Sequence, residues 1–191
     1  MEEKQIKELF DSTGARLSGH FLLTSGRHSG EYMQCAKLFV HPEVSEKLCA
    51  ALAAKIGDIK AESVISPALG GILMGYELAR QLKCKNYFAE RTAEGVFALR
   101  RGFSLQKGER VIVAEDVVTT GGSVKEVIAL AKELGAEVAG VAAIVDRSGG
   151  SVDFGIPFYS LWQTNIASYD KEECPICKAG GPPPIKPGSR K

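Results

Sequence analysis

The segment that decides the fold is residues 110–123, which read RVIVAEDVVTTGGS. An apolar run leads to two adjacent acids, Glu115 and Asp116, and a small polar loop then opens a helical pattern. Acids at the end of a buried strand are costly unless they reach the open carboxyl edge of a sheet, where ligands of such folds bind. We therefore predict a buried strand, at residues 110–115, whose acids face a ligand.

The loop after the acids has the composition of a phosphate site. It combines hydroxyl-bearing residues with glycines at the predicted start of a helix, namely Thr119, Thr120, Gly121, Gly122 and Ser123. Helix N-termini hold anions on free backbone N–H groups, and glycine lets a phosphate approach them. Because carboxylates accept hydrogen bonds from sugar hydroxyls, the segment suits a ribose phosphate. The alternative interpretation is a plain strand-to-helix turn with solvated acids.

The patterns on both sides of this segment predict an α/β fold. Short apolar runs alternate with helical patterns along the chain. The predicted strands are residues 63–66, 86–90, 110–115, 138–146 and 158–163, and the predicted helices between them are 71–83 and 123–134. Such alternation is typical of a central parallel sheet flanked by helices.

The chain length of 191 residues indicates a single domain. We expect residues 1–40 to form an N-terminal helix and a small irregular flap, and residues 41–165 to form the α/β core. That core should begin with an amphipathic helix that opens at Pro42. Residues 170–191 concentrate proline, glycine and charge, so we expect a tail with little structure beyond one turn.

Composition limits the partners and the compartment. Lys and Arg total 24 against 23 for Asp and Glu, so a net charge of +1 gives no general attraction to nucleic acid or acidic membranes. No apolar run reaches membrane-spanning length, and the start MEEKQIKELF lacks the features of a secretory signal. Five cysteines, an odd number, favour free thiols. We expect a cytoplasmic protein.

Residues 111–123 closely resemble the donor-binding motif of type I phosphoribosyltransferases, which use 5-phosphoribosyl 1-pyrophosphate. The stretch is neither a Walker loop nor a dinucleotide fingerprint. From the flap to Arg147 the chain is similar to the orotate phosphoribosyltransferases. The resemblance implies transfer of the phosphoribosyl group to orotate in de novo pyrimidine synthesis, a homodimer, and Mg²⁺ held mainly by the substrate rather than by a protein metal site.

The resemblance also implies roles for individual residues. Glu115 and Asp116 would be catalytic and hold the ribose hydroxyls, and Arg147 would pair with the carboxylate of orotate through its planar fork. Arg27, in the segment Ser25-Gly26-Arg27-His28-Ser29, would help form the base pocket. The implied substrate-binding residues are Val117, Val118, Thr119, Thr120, Gly121, Gly122, Ser123, Arg147, Arg27, and, in the pyrophosphate loop at residues 66–71, Ala68 and Gly70.

The family has a mobile loop that brings cations to the leaving pyrophosphate, and here it corresponds to residues 90–103. Better-known members carry lysines in this loop, in the pyrophosphate loop and before Ser-Gly-Arg, where this chain has Thr92 and its neighbours, Gly70 and Thr24. We therefore expect the catalytic cation to be Arg91 first and Arg101 second, acting on developing negative charge.

Two alternatives to this function remain at this level. One is a phosphoribosyltransferase for a purine or another pyrimidine base, which would leave Arg147 without a carboxylate. The other is a regulator that senses the donor without catalysis, which would need a DNA-binding module that the composition does not suggest.

The cysteines and the single tryptophan are interpreted as structural. Cys174 and Cys177 form one C-x-x-C, and zinc would need two more ligands, while His20, His28 and His41 are distant in sequence. We therefore favour a tail turn with free thiols over a metal site. We expect buried thiols at Cys35, Cys49 and Cys84, and Trp162 in the core or a subunit interface.

Overall fold

A computed structural model describes residues 1–23 and 25–187 and contains a six-stranded sheet. The strands of this sheet are β3 (Ser63–Pro67), β4 (Lys85–Arg91), β5 (Phe97–Leu99), β6 (Arg110–Val118), β7 (Glu137–Asp146) and β8 (Phe158–Gln163). Their order is β5-β4-β3-β6-β7-β8, and only β5 runs antiparallel to its neighbour. The expected α/β fold with a parallel sheet is therefore confirmed.

Helices cover both faces of the sheet. They are α1 (Glu3–Ser12), α2 (Pro42–Ile56), α3 (Gly71–Leu82), α4 (Gly122–Glu133) and the short α5 (Pro175–Lys178), together with a 3₁₀ helix at Cys35–Val40. Alternate residues of a strand point to opposite faces. Accordingly, Ile112 of β6 packs in the core formed with α1, α2 and α3, whereas Val111 and Val113 pack against α4.

The helix after the acid pair forms as its pattern predicts. One stripe of α4 is buried, at Val124, Val127, Ile128 and Ala131. The packing of this stripe on the sheet provides most of the stability of the helix. On the other face, Trp162 lies in the core, edge-to-face with Phe10 at 5.1 Å between ring centroids. The core interpretation of Trp162 is confirmed.

Two strands differ from the prediction. β6 continues three residues beyond Glu115, to Val118, because β7 supplies hydrogen-bond partners as far as the pair Val118 and Asp146. β5 was not predicted; it is three residues long and pairs with β4 after a turn at Gly95. A strand this short has too few residues to display an alternating pattern.

The N-terminal flap is a two-stranded antiparallel sheet of β1 (Arg16–Leu22) and β2 (His28–Met33). The C-terminal segment lies along this flap. The backbone N–H of Leu22 donates to the carbonyl oxygen of Ile185 at 2.8 Å, and the backbone N–H of His28 donates to the carbonyl oxygen of Tyr169 at 2.8 Å. The tail does contain a single helical turn, α5, as expected. Beyond α5 the tail forms turns and one bridge at Ile185, and Tyr169, just before the tail, bridges to β2; residues 188–191 lie outside the described residues.

Within the part of the chain that the structure describes, no helix has the length and apolar character needed to cross a membrane.

Candidate active site

The predicted site residues meet at one edge of the sheet. β3, β6 and β7 are parallel, so their carboxyl ends share an edge, and Ala68, Thr119 and Arg147 follow directly after them. The pairing between β3 and β6 ends at Ile65 and Val113. On the β3 side, the last residues of β6, which include both acids, therefore border the loop after β3, while β7 remains paired on the other side.

The acid pair is half-buried and held by its own backbone. The Asp116 N–H donates to Glu115 Oε1 at 3.2 Å, and the Val117 N–H donates to Asp116 Oδ1 at 2.8 Å. Burial raises the pKa of Glu115 well above its ordinary value, and the neighbouring negative charge of Asp116 raises it further. Burial also raises the pKa of Asp116. Two desolvated carboxylates side by side favour a ligand that brings hydroxyl donors or positive charge.

Glycines give the phosphate loop its shape. Gly121 has φ +73°, and a Cβ there would lie 2.8 Å from Val152 Cγ1 and 2.9 Å from Phe154 Cε1. This position therefore excludes a side chain on two grounds, conformation and space. At Gly122, the first residue of α4, a Cβ would meet only Thr120 Oγ1, at 3.8 Å. The loop surrounds a cavity of about 80 Å³, lined by Glu115 and by residues 117–124.

The loop after β3 closes against the acids. A Cβ at Gly70 would lie 3.4 Å from Asp116 Oδ1, and one at Gly71 would lie 3.2 Å from Glu115 Oε1. The Ala68–Leu69 peptide bond in this loop is cis. The structure thus brings the predicted pyrophosphate loop, with Ala68 and Gly70, next to the acid pair.

A second cavity, of about 380 Å³, lies between the flap and this loop and reaches Asp116. Tyr32 and Cys35 line it from the flap side. The Cys35 thiol is buried, which raises its pKa well above the ordinary value, and the charges of Asp116 and Arg147 act on it in opposite directions. Cys35 is therefore near enough to both Asp116 and Arg147 for their charges to act on its thiol. Sequence reasoning treated it only as a buried thiol, and no local pattern distinguished it from Cys49.

Arg147 is half-buried, and its Nε has no hydrogen-bond partner among the described residues. Burial lowers the pKa of Arg147, and charge interactions with Cys35 and Tyr32 raise it by a smaller amount. The guanidinium nevertheless remains protonated near neutral pH. Asp146 does not pair with it. Instead, the Asp146 carboxylate accepts hydrogen bonds from the Ser148 N–H and hydroxyl, at 2.8 and 2.6 Å, and fixes the turn that follows Arg147.

The other predicted arginines are bound elsewhere. Arg27 pairs with Asp170 at 2.9 Å and donates to Ser168 O at 2.6 Å, and it does not line the cavity beside Asp116. Arg91 pairs with Glu126 of α4 at 2.9 Å, and Arg101 pairs with Glu90 at 2.7 Å.

The predicted mobile loop is a β4–β5 hairpin in this structure. Both arginines are exposed, and each binds its glutamate through two hydrogen bonds. Surface ion pairs are worth about 0–1 kcal/mol, and bidentate geometry places these two at the upper end of that range, so release of either arginine would cost on the order of 1 kcal/mol.

One expectation outside this edge is wrong. His20 and His28, judged too distant to join Cys174 and Cys177, lie with them in a cluster whose ligand atoms are all within 4.8 Å of one another. His41 is not part of it. Of the three cysteines expected to be buried, Cys35 and Cys49 are, and Cys84 is half-buried.

A further cavity, of about 480 Å³, opens between α1, the segment after β8 and the tail, and it contains none of the predicted site residues. We place the site at the strand ends, because the carboxylates, the glycine loop and Arg147 all lie there.

Comparison with known proteins supports this assignment. A family model described as the phosphoribosyl transferase domain matches residues 39–168. The orotate phosphoribosyltransferase of Caldanaerobacter subterraneus subsp. tengcongensis is 54% identical over 191 residues, covering 100% of both chains. That of Thermotoga maritima is 54% identical over 185 residues, covering 97% of this chain and 98% of the relative.

Solved structures agree on the fold. The crystal structure of orotate phosphoribosyltransferase from Aeropyrum pernix has a TM-score of 0.73 at 26% identity, covering 83% of this chain and 93% of that one. An adenine phosphoribosyltransferase from Thermoanaerobacter pseudethanolicus, 17% identical with a TM-score of 0.61, shares the fold over 70% of this chain and 88% of its own. With full-length relatives above half identity, the chain belongs to the orotate phosphoribosyltransferases of the phosphoribosyltransferase family.

Proposed function

We propose that this protein transfers the phosphoribosyl group of 5-phosphoribosyl 1-pyrophosphate to orotate, giving orotidine 5′-monophosphate and pyrophosphate. The observation that carries the proposal is Arg147, with an unpartnered buried Nε at the same sheet edge as the acid pair and the glycine loop. A partly buried guanidinium whose Nε has no partner among the described residues is costly, so it favours an anionic ligand. Orotate offers a carboxylate that the planar fork can bind with two hydrogen bonds.

The donor, 5-phosphoribosyl 1-pyrophosphate, would extend from the glycine loop across the acid pair to the loop after β3. Residues 117–123 would hold the 5′-phosphate at the start of α4, and Glu115 and Asp116 would accept hydrogen bonds from the ribose hydroxyls. The loop with Ala68 and Gly70 would hold the pyrophosphate through backbone N–H groups. This arrangement leaves the cavity lined by Tyr32 and Cys35 for the base.

The acid pair also suits Mg²⁺ bound with the donor. No cation contributes to the pKa of either carboxylate in the described part of the chain, and Mg²⁺ prefers oxygen ligands while keeping few protein contacts. When bound, the ion would offset negative charge on the pyrophosphate. We propose that the substrate holds most of its coordination sphere.

The residues present can assist both halves of the reaction. As the bond from ribose C1 to the pyrophosphate oxygen breaks, N1 of orotate forms the new bond to C1 and its proton passes to solvent. The ionised pair Glu115 and Asp116 would stabilise positive charge on the ribose ring. Arg91 and Arg101 are the cations that we propose for the leaving group, after release from Glu126 and Glu90. Arg27 remains a predicted contributor to the base pocket.

We also propose a homodimer and a cytoplasmic location. Leu69, Leu73 and Tyr76 are 84%, 57% and 62% exposed and lie on or beside α3. Contiguous exposed apolar side chains of this kind are typical of protein interfaces. The five cysteines are all free, which suits a reducing compartment.

The direct test is an ultraviolet assay of base consumption with the donor and Mg²⁺. Orotate should be consumed, whereas adenine, hypoxanthine and uracil should be inert; activity with one of those bases in place of orotate would contradict the substrate assignment.

A variant of Arg147 sharpens this test. Arg147→Gln should raise KM for orotate and lower kcat/KM about 100-fold or more, since two charge-assisted hydrogen bonds are each worth about 1.5–3 kcal/mol. Donor binding measured by calorimetry should be unchanged. Arg110→Gln is the matched control, because Arg110 opens β6 at the opposite edge of the sheet and pairs with Glu137 there.

A further inference from the structure

Four potential metal ligands converge on the side of the molecule where the tail meets the flap. His20 Nε2 lies 2.9 Å from His28 Nδ1, and Cys177 Sγ lies 3.3 Å from the same His28 atom. His20 Nε2 is also 3.5 Å from Cys174 Sγ and 3.7 Å from Cys177 Sγ. The two histidines come from the N-terminal flap and the two cysteines from the C-terminal tail, so the cluster is a product of the fold.

We infer that His20, His28, Cys174 and Cys177 form a structural Zn²⁺ site that fastens the C-terminal tail to the N-terminal flap. Zinc is bound tetrahedrally, with Zn–N of about 2.0–2.1 Å and Zn–S of about 2.3 Å, which puts neighbouring ligand atoms roughly 3.3–3.8 Å apart. Four of the six distances between the ligand atoms are 2.9–3.7 Å and all six are within 4.8 Å, so a modest adjustment of the side chains meets this geometry. Two thiolates and two imidazoles form a ligand set that selects zinc over the hard cations.

The surroundings of the cluster are those of a closed metal site. His20, His28 and Cys174 are 5%, 4% and 1% exposed. The other ring nitrogen of His20 donates to the carbonyl oxygen of Pro182 at 2.7 Å. This contact fixes the tautomer that leaves Nε2 free to bind a metal, and such a carbonyl partner commonly orients a ligating histidine.

The fold explains why both histidines face the tail. Leu22 of β1 is paired with His28 of β2, and His20 lies two residues before Leu22, on the same face of the strand. The two cysteines flank Pro175 and Ile176 at the start of α5, a C-x-x-C spacing typical of zinc ligands. In the absence of a metal, two imidazoles that meet edge to face and two weak thiol donors would satisfy one another poorly in a buried place.

The metal content of the full-length chain tests this inference. After removal of metal by a chelator under reducing conditions, addition of Zn²⁺ and gel filtration should leave one zinc bound per chain. Replacement by Co²⁺ should give thiolate charge-transfer absorption and the strong visible bands of a tetrahedral ion. Failure of the reduced, folded parent protein to retain zinc, or cobalt without thiolate absorption, would overturn the proposal.

Variants identify the ligands. Cys177→Ser and His28→Ala should each reduce retained zinc about 10-fold or more, since a metal site loses affinity steeply when its ligands are disturbed. His28→Cys should retain one zinc, because Cys₃His is also a zinc ligand set. Cys84→Ser, which removes a thiol outside the cluster, should behave like the parent. Full zinc retention by Cys177→Ser or His28→Ala would refute the assignment.

A stability measurement separates a site from surface adsorption. Metal removal should lower the thermal midpoint of the parent by about 10 °C, because structural zinc contributes several kcal/mol and each kcal/mol shifts a domain of this size by roughly 2–4 °C. The same treatment should leave the midpoint of folded Cys177→Ser unchanged. If that variant does not fold, the cobalt spectrum of the parent decides.

Discussion

Two adjacent glycines of the phosphate loop should respond oppositely to the same substitution. In Gly121→Ala, the φ of +73° costs about 1–2 kcal/mol for an L residue. The new Cβ also meets Val152 and Phe154 within 3 Å, and overpacking of this kind costs about 1–3 kcal/mol. We therefore expect Gly121→Ala to lower the free energy of unfolding by about 2–5 kcal/mol, or roughly 4–20 °C in the thermal midpoint.

Gly122→Ala is the matched control for stability and the test for function. The new Cβ has only Thr120 Oγ1 nearby, at 3.8 Å, and alanine is favoured over glycine in a helix by about 0.8–1.0 kcal/mol. The fold should be as stable as the parent or slightly more so. Because Gly122 lines the phosphate cavity, the methyl group should nevertheless raise KM for the donor.

Urea unfolding and donor titration of both variants provide the measurement. If Gly121→Ala and the parent have the same free energy of unfolding, neither the left-handed conformation at Gly121 nor its close approach to Val152 and Phe154 determines the shape of the loop. Unchanged donor affinity in folded Gly122→Ala would show that the phosphate binds elsewhere, which would remove the basis of the proposed site.

Two further predictions concern the acid pair and the exposed face of α3. Burial raises the pKa of both Glu115 and Asp116. In the proposed reaction both carboxylates act in their ionised forms. The fall of kcat/KM on acidification should therefore occur at a higher pH than it would for a carboxyl group with the ordinary pKa of about 4.3. Asp116→Asn should move this acidic limb of the residual activity downward, because it removes a neighbouring negative charge; an unmoved limb would contradict the assignment. Light scattering should report twice the chain mass of 20.5 kDa, and Tyr76→Glu should reduce it to one chain, whereas a monomeric parent would refute the dimer.

Local patterns were sufficient to predict most of the α/β core. The stripe at Val124, Val127 and Ile128 predicted the buried face of α4, and the run before Glu115 predicted the central strand. The end of that strand was less predictable, because the hydrogen bonds that extend it to Val118 come from β7 and depend on a partner in space.

The site was predictable where its residues follow strands directly. Thr119 and Arg147 directly follow β6 and β7, Glu115 lies in the last part of β6, and parallel topology alone brings such positions to one edge. The contribution of Cys35 was not predictable in this way, because it comes from a 3₁₀ helix after the flap. The ion pairs of Arg27, Arg91 and Arg101 could not be predicted either, because the partners in each pair are not related by a helical or strand spacing.

The His–Cys cluster marks the limit of sequence reasoning most clearly. Cys174 and Cys177 gave half of a recognisable zinc pattern, and the missing half lay in a hairpin at the other end of the chain. A usable signal did exist, since His20 and His28 both lie in the predicted flap. Joining the two halves required the contact between the tail and the flap.

The docking of the tail on the flap also bears on how this protein should be divided for expression. The family match ends at residue 168, yet backbone hydrogen bonds from Tyr169 and Ile185 complete both flap strands. Nearly the whole polypeptide must therefore be synthesised before the β1–β2 hairpin can form its hydrogen bonds with Tyr169 and Ile185. A shortened gene that keeps only the matched region would encode the acid pair and the glycine loop without the flap and without Tyr32 and Cys35, which line the cavity that reaches Asp116.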